Sequence, residues 1–192
     1  MTDRSIVFSG PMILALLAGR KVMTRRLAWR FKEGVNHEDK EGLLRLPSLW
    51  QKAKPGDRCW VKETFLPRAS GSRAMYQADH DAAESAGIAG LYSDAGKWKS
   101  PRYMPRALSR ITLAITATRI ERLQKIGIDD IEAEGVYRLE HGYNDEKDTY
   151  LNVENFAALW RQLHGPGSWD ANPEVIVLSF FAENRNIDKE AT

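Results

Sequence analysis

Two runs of strict alternation constrain this chain more than any other feature in it. Arg58, Trp60, Lys62 and Thr64 alternate with Cys59, Val61, Glu63 and Phe65, and Ile111, Leu113, Ile115 and Ala117 alternate with Thr112, Thr116 and Thr118. A period of two sends successive side chains to opposite faces of a strand, so each run reads as a strand with one face toward a core. A third segment, Val175 to Phe181, is almost continuously apolar, which suits a buried strand. Short helical segments stand between these strands without the regular strand-helix alternation of a doubly wound sheet, so the fold class is α+β.

The remaining segments fill in this outline. Ser5 to Phe8 form a first short strand, and Ser9-Gly10-Pro11 open a helix in which Met12, Ile13, Leu16 and Leu17 recur at helical spacing until Gly19 stops it. Residues 29–51 are polar and mixed, a long excursion ending in the turn Lys54-Pro55-Gly56-Asp57. Ala74 to Ala78 read as a weaker strand, and the Ala/Gly/Ser/Asp-rich stretch Asp79 to Lys99 as a mobile insertion with little core of its own. Arg119 breaks the phase of the strongest strand, as a bulge would. Asp129 and Glu132 have the spacing of a capping box, with Gly135 as the stop. Val153, Phe156, Ala157, Trp160 and Leu163 form one apolar stripe of a helix opened by Asn152 and closed by Gly165-Pro166. The expectation is one domain over residues 1–183, with insertions at about 29–51 and 66–104, and a flexible tail at 184–192 that frays beyond Asn184.

Composition excludes several functions. A formal net charge of +2 over 192 residues announces no nucleic-acid binder, so any such contact must rest on a local patch. The lone Cys59 has no disulfide partner, and His37, His80, His141 and His164 lack ligand spacing, so no metal is expected. No Gly-rich phosphate loop, serine elbow or dinucleotide fingerprint is present, and no cofactor is expected. The longest apolar stretch, Pro11 to Ala18, falls far short of the roughly 20 residues of a membrane span. With no signal-peptide pattern either, a cytoplasmic location is expected.

The densest polar chemistry lies in Gly19-Arg20-Lys21-Val22-Met23-Thr24-Arg25-Arg26, where four cations and a hydroxyl follow an apolar helix. One reading is a solvated basic turn, and the other is a patch for phosphate or a nucleobase. Thr24 and Arg26 share a face if this segment is a strand, and Lys21 can join them only through a turn between Gly19 and Met23. Glu63, on the apolar face of its strand, is either a structural partner of Arg26 or Arg110 or a catalytic acid. Trp60 either stacks on a base or packs, and Arg102, Arg106 and Arg110 either line a phosphate track or are solvated.

Gly19, Lys21, Thr24 and Arg26 resemble the GxKxxTxR signature of the ASCH family. Pro55-Gly56-Asp57-Arg58 leading into Trp60-Val61-Lys62-Glu63, Met104-Pro105-Arg106 before Ser109-Arg110-Ile111, and Gly165 to Pro173 are similar to a phage and prophage branch of that family. The resemblance implies a PUA-like mixed β-barrel with short flanking helices, whose cleft binds RNA or a modified nucleoside. For a phage-encoded chain, the location is the host cytoplasm. One bacterial ASCH enzyme hydrolyses acetylcytidine with a lysine, a threonine and a glutamate. Lys21 and Thr24 match the first two by motif, and Glu134 matches the third through the short helix that bears it. The insertions at 29–51 and 66–104 are absent from those small amidohydrolases. Thr24 would act as nucleophile with Lys21 as base and Glu134 orienting water or protonating the leaving amine. Alternatively, a charged Lys21 stabilises the oxyanion while Glu134 activates water. Three functions therefore stand open. The first is an RNA or nucleoside binder using Lys21, Thr24, Arg26, Trp60, Glu63, Arg106, Arg110 and Glu134. The second is an amidohydrolase or ribonuclease acting in the same cleft, and the third is a phage protein-interaction factor. The oligomeric state is left open.

Overall fold

Pro11 at the start of the first helix costs nothing there, because the N–H it lacks has no helical partner in the first turn. The computed structural model of the chain describes residues 2–33, 43–67, 74–87, 97–136 and 145–189. Its elements are β1 (Asp3–Val7), α1 (Gly10–Leu17), β2 (Met23–Leu27), β3 (Trp29–Glu33), β4 (Leu43–Pro47), β5 (Arg58–Lys62), β6 (Phe65–Leu66), β7 (Met75–Tyr76), α2 (Gln77–Ser85), β8 (Thr112–Arg122), α3 (Ile128–Ala133), α4 (Asp145–His164) and β9 (Glu174–Glu183). The fold is α+β around a mixed five-stranded sheet of order β1-β5-β8-β9-β2. β1 runs parallel to β5, while β5 with β8 and β2 with β9 are antiparallel. Among the described residues no strand pairing closes this sheet into a barrel.

The chain divides into two compact units. The first comprises Met1–Val22, Gly56–Ile115 and Phe180–Thr192, and the second Met23–Pro55 and Thr116–Ser179. In the first unit, Ile6, Ile13, Leu16, Val61, Ile111, Leu113 and Ile115 are buried, and α1 packs against α2. Asp57, itself buried, accepts hydrogen bonds from Thr2 N at 2.8 Å and from Arg4 Nη1 at 2.6 Å, which pins β1 beside β5. The expected alternation holds on β5, where Cys59, Val61 and the following Glu63 are all buried on one side.

The segment beyond Asn184, expected to fray, is tied into this unit as far as Lys189. The Thr112 hydroxyl donates to the Arg185 carbonyl at 2.9 Å, Asn186 Nδ2 donates to the Arg106 and Ser109 carbonyls, and Ile187 is buried. The expected strand Ala74 to Ala78 is confined to Met75–Tyr76. Helix α2 then begins at Gln77 and buries Ala78 and Ala83, so part of the stretch expected to lack a core carries one. Residues 88–96 of that stretch lie outside the described residues.

In the second unit, Leu123, Ile126, Ile131, Phe156, Ala157, Trp160, Trp169, Val175 and Val177 form one cluster, with Met23, Leu27, Val136 and Val153 packed against it. Four consecutive buried residues, Val175 to Leu178, match the continuous apolar run of β9. The polar excursion at 29–51 is a correction, because it contains the antiparallel pair β3 and β4 followed by a 3₁₀ turn at Leu49–Lys52. Glu174 ties that pair to the start of β9, accepting from Trp29 Nε1 and Arg45 Nη2, both at 2.7 Å.

Three finer expectations also change. Helix α4 begins at Asp145 rather than Asn152, and Leu163 is 53% exposed rather than part of the buried stripe. Gly127 occupies the N-cap of α3 with no side-chain capping bond, so the box at Asp129 and Glu132 does not form.

Candidate functional site

Strand parity organises the basic segment. Met23, Arg25 and Leu27 point to one face of β2, and Met23 and Leu27 pack against the apolar cluster beneath α3 and α4. Arg25, buried among them, meets three carboxylates: Glu121 at 2.7 Å, Asp130, and Glu134 at 3.3 Å. Arg119 joins Glu121 at 3.0 Å and also reaches Asp130. Against the desolvation that would raise it, Arg119 and Arg25 hold the Glu121 carboxyl below its ordinary value. Glu134, at the C-terminus of α3 and 4% exposed, is therefore engaged from the Arg25 face.

Thr24 and Arg26 point the other way. Arg26 Nη1 donates to the buried Thr24 Oγ1 at 2.8 Å and to the Arg25 carbonyl at 2.9 Å. Its guanidinium carbon lies 6.0 Å from the Trp50 ring centroid, the outer edge of cation–π range. Trp50 is set by the 3₁₀ turn: Ser48 N donates to the Ala28 carbonyl at 2.9 Å and Gln51 Nε2 to the same oxygen at 2.6 Å. The Ser48 hydroxyl is buried without a hydrogen-bond partner among the described residues. His164 stacks on Trp160 at 4.1 Å between centroids. The water this excludes, and then the charge of Arg26, hold its imidazole below its usual pKa.

Lys21 belongs to the first unit and is 0% exposed, with its ammonium 5.5 Å from the Phe8 ring centroid. The turn expected before Met23 is present: Gly19 has φ +70°, and the N–H groups of Arg20 and Lys21 both return to the Ala15 carbonyl. A uniformly solvated basic turn is therefore not what forms, since Arg20 is exposed but Lys21 and Arg25 are buried.

Glu63 pairs with Arg110, not Arg26, in a two-pronged contact at 2.9 and 3.0 Å. Arg110 also binds Asp79 at 2.7 and 2.8 Å and lies 3.9 Å from the Tyr76 ring centroid. Burial outweighs Arg110 and lifts the Glu63 carboxyl above its usual range, with Asp79 adding to the effect. Against its own desolvation, Glu63 and Asp79 push Arg110 further up. Beside Glu63 opens a cleft of about 130 Å³. Trp60 is half-buried with the Lys62 ammonium 5.1 Å from its ring centroid. Arg106 is held by Asp188 and by Asp3, so both it and Arg110 already face carboxylates where a phosphate track was one reading.

Three features lay outside the sequence reading. The motif marks Thr24 and Arg26 on either side of Arg25 and assigns Arg25 itself no role. Trp50 lay in a stretch read as irregular. His80, Asp81 and Glu84 bring potential metal-ligand atoms within 4.8 Å of one another, although no histidine or cysteine pattern marks them. Their i, i+4 spacing on α2 was the available signal.

No family model matches the chain, and no curated protein does. Among solved structures it is similar to the hypothetical protein PH0355, at 12% identity over 95% of this chain and all of that one, with a TM-score of 0.41. It is also similar to protein EF3133 from Enterococcus faecalis, described under family DUF984, at 12% identity over all of this chain and 86% of that one, with a TM-score of 0.43. No described helix is long and apolar enough to cross a membrane.

Proposed function

We propose that this chain binds RNA or a modified nucleoside on the Thr24 and Arg26 face of β2, as an ASCH-type module of PUA-like architecture. The observation that carries this reading is the guanidinium of Arg26, fixed by the Thr24 hydroxyl at 2.8 Å and held 6.0 Å from the indole of Trp50. A fixed cation beside a flat aromatic ring is the pairing that single-stranded nucleic acids meet in their binding proteins: the cation takes a phosphate and the ring stacks a base. The motif-like order of Gly19, Lys21, Thr24 and Arg26, and a mixed sheet accompanied by helices, support the family reading.

A second reading, hydrolysis of an N-acylated cytidine, is favoured by the burial of Lys21 and Thr24, an amine and an alcohol of the kind acyl transfer uses. It also needs the Glu134 carboxylate, whose Oε1 accepts from Arg25 Nη1 at 3.3 Å, whereas the pairing of Arg26 with Trp50 needs no third group, so binding is the better supported function.

The test is titration of the full chain with a short single-stranded RNA and with acetylcytidine at fixed low salt. Binding by the native chain is expected, with a loss of about tenfold in Arg26→Ala and a shallower salt dependence by roughly one counterion. Unchanged affinity in a folded Arg26→Ala chain removes this face from the account. Acetate release from acetylcytidine that disappears in Thr24→Val would establish the second reading instead.

A further inference from the structure

We propose that the cleft beside Glu63 in the first unit is a separate binding site for a ligand no larger than a single ring that carries a positive charge on N–H donors. It is built from the start of α1 at Gly10 and Pro11, the residues just after β5 at Glu63 and Thr64, and α2 at Gln77, Ala78 and Asp81. At about 130 Å³ it is well below the roughly 300 Å³ or more of a drug-sized pocket, so it takes a fragment.

Its chemistry favours donors. Arg110 occupies the forked edge of Glu63, one bond to each oxygen, and each oxygen keeps one outward acceptor site for a single N–H group. The Thr64 hydroxyl and the Gln77 carboxamide make no side-chain hydrogen bond to another described residue, so both remain for a ligand. Asp81, bonded to His80 at 3.3 Å, adds a carboxylate at the rim.

One effect opposes this. The N-terminus of α1 carries a partial positive charge of about half a unit, which attracts anions. Pro11 removes one of its N–H groups, the guanidinium of Arg110 is shared between Glu63 and Asp79, and Asp81 lines the same cleft. The whole carboxylate charges outweigh the fractional one, and the cleft selects a cationic donor over an anion of the same shape.

Benzamidine and benzoate make that comparison directly, being similar in shape with reversed charge and hydrogen-bond polarity. Each is titrated into the isotopically labelled full chain while backbone amide resonances are followed. Benzamidine is expected to shift the amides of Thr64, Gln77 and Asp81, and benzoate to bind at least about tenfold more weakly. The double variant Thr64→Val, Gln77→Leu is expected to keep the native melting temperature and to weaken benzamidine by roughly fivefold or more. The proposal is overturned if benzoate binds as well as benzamidine, if neither shifts these amides up to its solubility limit, or if the double variant binds benzamidine like the native chain. The Thr24 and Arg26 reading stands or falls on different elements and is untouched by any of these results.

Discussion

Replacing Arg25 with methionine isolates the largest electrostatic commitment in the second unit. The native guanidinium is buried and reaches Glu121 at 2.7 Å, Asp130, and Glu134 at 3.3 Å. In the variant, Glu121 and Asp130 keep Arg119, whereas the 4%-exposed Glu134 loses its contact with Arg25. Methionine retains most of the apolar stem, so the cavity contribution is small and the charge effect dominates. Removing one partner of a buried pair costs about 3–5 kcal/mol. For a chain of this length, that corresponds to a fall in Tm of roughly 6–20 °C, read by circular dichroism at pH 7. Adding Glu134→Gln removes one of the buried carboxylates that Arg25 had faced, and the double variant is expected to recover about half of the loss. Arg25 points away from Thr24 and Arg26, so RNA affinity measured well below the transition is expected to stay native. A single variant losing less than about 1 kcal/mol, or a double variant that is merely the sum of the two singles, refutes the reasoning.

Trp160→Ala, in the centre of the apolar cluster, is expected to cost about 3–5 kcal/mol, while Leu163→Ala stays within about 0.5 kcal/mol because that side chain is 53% exposed; chemical denaturation separates the two. The depressed pKa of Glu121 contributes stability above its ordinary value of 4.5 that is lost as pH falls below it, so the gap between the native chain and Glu121→Gln should close on acidification. Glu63 has the opposite sign: its raised pKa contributes stability that is complete below 4.5 and lost as pH rises through the elevated value. The pH dependence of Glu63→Gln relative to native should therefore run the other way. Truncation after Asn184 removes buried Ile187 and the Asn186 bonds to Arg106 and Ser109, and is expected to lower stability by roughly 2–4 kcal/mol in thermal unfolding.

The elements that were legible in the sequence are those where burial is lopsided. Cys59, Val61 and Glu63 against Arg58, Trp60 and Lys62 announce their own faces, and Glu63 on the apolar side required a cation, which proved to be Arg110. Gly19 and Gly135, at φ +70° and +80°, end their helices where expected because only glycine takes that backbone cheaply. The misses share a physical cause, in that a tertiary partner replaced a local signal. β3 is short and mixed and β4 is a short apolar run ending in Pro47; they pair with each other while Glu174 anchors them, and neither shows the alternation that marks a strand by itself. At the end of α4, His164 rather than Leu163 covers the Trp160 ring, and the apolar stripe stops one turn early. Tail residues 185–189 are polar apart from the buried Ile187, and are held by side-chain to backbone bonds that no periodicity encodes. Arg25 shows the same limit at the site: the motif names its neighbours, but the three carboxylates around it come from β8 and α3.

Photocrosslinking of a short RNA carrying 4-thiouridine, with the adducts mapped by mass spectrometry, tests the nucleic-acid reading most directly. The account predicts adducts on Trp50 and on the peptide spanning 23–30, lost in Arg26→Ala. Adducts absent from both segments, or unchanged in that variant, would contradict it.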